Sequence, residues 1–72
     1  MAQLVTNKEE VLNKGFEIHN WYNSMEDASF IAEYLENEHK EVVIVRSKID
    51  YGDDNELFTY AVYFKMREVD DV

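Results

Sequence analysis

The sequence contains no cysteine and no proline, and only two glycines. Without cysteine there are no disulfide staples, no thiol nucleophiles and no thiolate metal sites. The absence also fits a reducing compartment. Without proline, chain reversals must come from helix caps and from turns of Asn, Asp, Ser and Gly. Two isolated glycines cannot build a phosphate-cradling loop. Basic residues are scarce as well: 7 Lys and Arg stand against 16 Asp and Glu, for a formal charge of −9. Phosphate-backbone binding, driven by Lys and Arg displacing counterions, is disfavoured, and so is an anionic membrane surface. No run approaches the roughly 18 apolar residues of a membrane span. Residues 1–8 lack the basic start and apolar stretch of a signal peptide. These absences point to a cytoplasmic chain. Any partner steered to it by charge would be basic.

What is present is enough to fold. Seventy-two residues make one small domain, and hydrophobic residues are 46% of the chain. That fraction argues against disorder despite the charge. Five Tyr, four Phe and one Trp supply bulk for a core with few positions. A chain this short buries only about 60% of its unfolded surface, so it has room for one helix–sheet core.

Local patterns divide the chain. Thr6-Asn7-Lys8-Glu9 fits a capping box with Thr6 at the N-cap, and Gly15 suits the position just past a helix end. Residues 7–14 therefore read as a short helix showing Val11 and Leu12. Residues 16–22 alternate as a strand. Phe16 and Ile18 then point one way, and Glu17, His19 and Trp21 the other. Ser24 is an N-cap followed by Glu26 and Asp27. Met25, Ala28, Ile31, Ala32 and Leu35 recur at helical spacing, which predicts a helix over 24–39. Residues 41–49 are rich in β-branched residues and read as a strand. Residues 50–56 are turn chemistry, residues 57–67 form a long last strand, and residues 68–72 read as a frayed acidic tail.

The expected fold class is α+β. A short N-terminal helix precedes β-α-β-β, giving a three-stranded antiparallel sheet of order 1-3-2 with one main helix on one face. The long last strand sits in the centre. The expected hairpin register pairs Val45 with Val62, Val43 with Phe64 and Ile49 with Phe58 under the main helix. The other face then carries Trp21, Val42, Ile44, Ala61 and Tyr63. It is too apolar to stand in water, and patches of this kind mark contact surfaces. Three covers are open: the N-terminal helix with Leu4, Val11 and Leu12, a second copy, or another protein.

Catalytic motifs are not found. Glu17 and His19 lie side by side on a strand, but a metal site needs further ligands and His39 is not brought near. Asp50, Asp53, Asp54, Asn55 and Glu56 resemble a calcium loop in composition only, because Gly52 comes third where that loop needs glycine sixth. No serine sits in a nucleophile elbow. Arg46, Lys48, Lys65 and Arg67 near Tyr63 and Trp21 suggest a strand-stacking patch, which the net charge opposes. The acidic residues give a sharper reading. Glu26, Glu33 and Glu36 follow one helix, and Asp53, Asp54 and Glu56 cluster in the turn.

The function expected from these residues is a small acidic, non-catalytic binding or regulatory protein that occludes a partner protein. A phage or mobile-element inhibitor of a basic nucleic-acid-handling protein, imitating DNA, would have this character. The alternative is a small homodimeric structural domain. No cofactor or metal is called for.

Overall fold

The computed structural model describes residues 2–50 and 56–66. It is a mixed α+β arrangement with four strands and two helices, in the order β1 (Gln3–Val5), α1 (Lys8–Asn13), β2 (Glu17–Tyr22), α2 (Met25–Asn37), β3 (Lys40–Asp50), β4 (Glu56–Met66). The spatial order is β1-β3-β4-β2. The expected order of the three longer strands appears with β4 between β2 and β3, antiparallel to both. A fourth strand, β1, pairs parallel to the free side of β3 through Gln3–Val43, Leu4–Ile44 and Val5–Val45. The three-stranded, wholly antiparallel sheet is therefore corrected to a four-stranded mixed one.

The hairpin register is corrected by one residue. Val42 pairs with Phe64, Val43 with Tyr63, Ile44 with Val62 and Val45 with Ala61. Side chains alternate across a strand, so a single-residue slip moves a whole strand's set to the other face. Val42 and Ile44 consequently lie under α2, in one cluster with Ala28, Ala32, Leu35 and Val62. Val45, Ala61 and Tyr63 line the opposite face with Val11 of α1 and Phe16. Of the five residues expected on one outer face, four are buried and divided between two cores, Val42 and Ile44 in one and Ala61 and Tyr63 in the other. Only Trp21, 61% exposed, remains open.

Each face has a helix because of how the chain crosses the sheet. β1 to β2 traverses it from one edge to the other, and β2 to β3 comes back. Crossovers between parallel strands are right-handed, so reversing the direction of travel puts the second helix on the opposite face. α1 has six residues and buries only Val11. So short a helix is not stable alone, and it is held at both ends. Asn7 Oδ1 accepts a hydrogen bond from the Glu10 N–H at 3.2 Å. The N-cap is therefore Asn7 and not Thr6, one residue later than expected. At the other end Gly15 takes φ +90. Its N–H donates to the Leu12 carbonyl at 3.1 Å, and the Phe16 N–H donates to the Val11 carbonyl at 3.4 Å. This is a Schellman closure, in which the residue two past the cap packs back on the last turn. Phe16 and Val11 share a core cluster accordingly. Lys65 fastens the same end to the sheet. Its Nζ donates to the Lys14 carbonyl at 3.3 Å and lies 4.8 Å from the Phe16 ring centre.

β2 carries a bulge between Ile18 and Asn20. The extra residue resets the alternation. Trp21, opposite Ala61, therefore shares a face with Ile18, opposite Tyr63, where strict alternation would oppose them. The bulge and the charged Glu17 also blunt this outer edge against pairing.

α2 begins as expected, with Ser24 Oγ accepting from the Asp27 N–H at 3.2 Å. It ends without a glycine. His39 takes φ 65 and donates its N–H to the Glu36 carbonyl at 3.0 Å. A side chain in this left-handed region costs about 1–2 kcal/mol relative to the ordinary helical region. His39→Gly is therefore expected to raise the unfolding free energy by roughly 1 kcal/mol in urea titration. Unchanged or lower stability would contradict the strained cap.

Candidate functional site

α2 carries two stripes. Met25, Ala28, Ala32 and Leu35 face the sheet, at spacings of three, four and three, and the last three are buried. Glu26, Phe30, Glu33 and Asn37 run down the opposite side at four, three and four, and all four are exposed. Phe30 is 73% exposed and Tyr34, one turn on, is 58% exposed. Two aromatic rings on the solvent side of a helix are not there for the core of this chain.

The carboxylates surround these rings. Glu26 precedes Phe30 by one turn and Glu33 follows by nearly one, while Asp27 and Glu38 flank Tyr34 on its other side. Glu38 takes hydrogen bonds from Lys40 and from the Tyr34 hydroxyl, and these hold its carboxyl below the usual glutamate range, with Lys40 as the larger cause. Lys40 Nζ lies 3.2 Å from Glu38 Oε2. Tyr34 and Glu38 are four residues apart, so ring and carboxylate stand together at the exposed end of α2.

The expected acidic surface is only partly assembled. Glu26 and Glu33 stand on the open face of α2. Glu36 is half-buried and lies beside Ala32 and Ile44, so it belongs to the flank of the helix. Glu56 opens β4, while Asp53 and Asp54 lie outside the described residues. The expected tail at 68–72 lies outside them too. Phe30 was not among the residues expected to act, although the 26-30-33-37 spacing carries the signal.

The other constellations separate. His19 stacks edge-on against Phe64, with ring centres 6.1 Å apart. Among the described residues no three His, Asp or Glu side chains group as metal ligands. Arg46 and Lys48 face the α2 side, paired with Tyr60 and Phe58, whereas Lys65 pairs with Glu41 on the α1 side. Tyr63 is buried and Arg67 lies outside the described residues; among the described ones the basic stacking patch is not assembled. A cleft of about 440 Å³ lies beside α1, and its lysines are engaged: Lys14 with Glu10 at 3.1 Å, Lys65 with Glu41 at 3.4 Å. Among the described residues no helix is long and apolar enough to cross a membrane.

Comparison with protein-family models, with curated proteins and with solved structures yields no match.

The Glu38 arrangement has a pH signature. A carboxyl whose folded-state pKa is lowered contributes stability that is present at neutral pH and lost as pH falls through that lowered value. An NMR carboxyl titration should show Glu38 losing its charge below the usual glutamate range, and Lys40→Gln should move it back up. Titration in the usual range in the unmodified chain would contradict the Lys40–Glu38–Tyr34 arrangement.

Proposed function

We propose that this chain is a non-catalytic binding protein that occludes a basic partner with the outer face of α2. The observation that carries the proposal is the pair of open rings, Phe30 and Tyr34, set among Glu26, Asp27, Glu33 and Glu38 on a helix anchored from behind. Aromatic side chains give large contact area with few rotors and dominate interface energetics. Carboxylates around them steer a positive surface into place and set its orientation. The net charge of −9 supports the same sign of partner. An inhibitor of a nucleic-acid-handling protein, encoded by a phage or mobile element, is the finer form of this reading. Its contact would be mixed, because Phe30 interrupts any phosphate-like row of charges.

The test is affinity capture from a host lysate, run in parallel on the natural chain and on Glu26→Lys with Glu33→Lys. Both positions are exposed, so the double variant should keep its circular dichroism. Capture of a basic protein by the natural chain, weakened about tenfold or more in the variant, is expected. Equal capture by both would sink the acidic face.

A second reading rests on the opposite side. Trp21 is 61% and Leu57 51% exposed, beyond the part of that face that α1 covers. A second copy packing there would make a homodimer. Light scattering at high micromolar concentration decides: a monomer removes this reading, and a dimer dissolved by Trp21→Glu supports it.

A further inference from the structure

The chain contains four phenylalanines, all within the described residues. Three have a cation over the ring. Lys65 lies 4.8 Å from the Phe16 ring centre, Arg46 5.0 Å from that of Phe58, and Lys40 5.1 Å from that of Phe64. The negative face of an aromatic ring attracts a cation within about 6 Å. Phe30 is the exception, with no such cation among the described residues. It is also the most exposed of the four, and it has Glu26 and Glu33 a turn away on either side. Its surroundings therefore carry the attraction for a positive group twice over, in the ring and in the carboxylates.

We infer that the outer face of α2 seats an arginine side chain of the partner, with the guanidinium plane on Phe30 and its N–H groups on Glu26 or Glu33. This rests on the occlusion reading and names what that surface recognises. A planar, weakly hydrated guanidinium stacks on a ring and offers a fork of donors to a carboxylate at the same time. A lysine ammonium is a compact, strongly hydrated charge, and using both partners at once gains it less. Tyr34, 58% exposed, presents a second ring one turn along, so a segment with two arginines fits better than one. The partner surface is accordingly arginine-rich, and the face discriminates between the two basic side chains.

The test uses the full chain and two synthetic peptides of equal length and charge, one of arginine and glycine, the other of lysine and glycine. Binding is read by calorimetry at low salt and by NMR shifts of the α2 amides. The arginine peptide should bind roughly tenfold more tightly than the lysine peptide. Phe30→Leu should erase that preference and keep the residual charge-driven binding, whereas Glu33→Gln should weaken both peptides. Phe30 is open to solvent, so circular dichroism should confirm that Phe30→Leu still folds. Equal affinity for both peptides would overturn the arginine inference and leave charge-driven occlusion standing. A preference that survives Phe30→Leu would likewise overturn it. Failure of both peptides to bind would overturn the inference and the occlusion reading together.

Discussion

In the register that pairs Ile44 with Val62 and Val45 with Ala61, successive residues of β3 and β4 enter different cores. The rest of the structure depends on this constraint. Ile44 and Val62 meet Ala28, Ala32 and Leu35, and their neighbours in sequence meet Val11 and Phe16. Fully burying an aliphatic or aromatic side chain contributes roughly 1.5–3 kcal/mol. A domain of this size has few such positions, so neither cluster is dispensable. Shifting β3 by one residue would exchange its contribution to the two layers and open both.

Two apolar faces require two covers, and the chain supplies them unequally. α2 has thirteen residues and shields its side from β2 to β3. α1 has six, and it works because its ends are pinned by Asn7, Gly15 and Lys65. Its short reach explains why Tyr63 is only 2% exposed while Trp21, on the same face nearer the β2 edge, stays open. The three-residue β1 completes the arrangement. It sets Ala2 against the α2 cluster and Val5 against the α1 cluster.

The elements with strong local signals were legible in the sequence: the Ser24 cap, the apolar stripe of α2, the β-branched run of β3 and the alternation of β4. β1 was not, because three residues carry no period and their pairing is with a strand some forty positions away. The register was ambiguous for a physical reason. Val42-Val43-Ile44-Val45 is apolar on both faces, so pattern alone cannot choose between neighbouring alignments. The bulge at His19 likewise has no turn residue to announce it. At the candidate site Glu26 and Glu33 are readable from spacing, whereas Phe30 reads only as flanking the apolar stripe, four residues before Tyr34. Its place opposite Ala28, Ala32 and Leu35 follows from the same helical period once the inward side is known.

Folding and function meet in α2. One side of the helix closes a core. The other leaves aromatic and carboxylate groups standing on a backbone that the core holds in place, and such a surface loses little freedom on binding. That division of labour holds only if the hairpin register is the one described, which isotope-edited NOE spectroscopy on the methyl groups tests most directly. Ile44 should show contacts to Ala32 and Leu35, and Val45 to Val11 and the Tyr63 ring. Contacts from Val45 to Ala32 and Leu35 instead would place β3 one residue away and contradict the account.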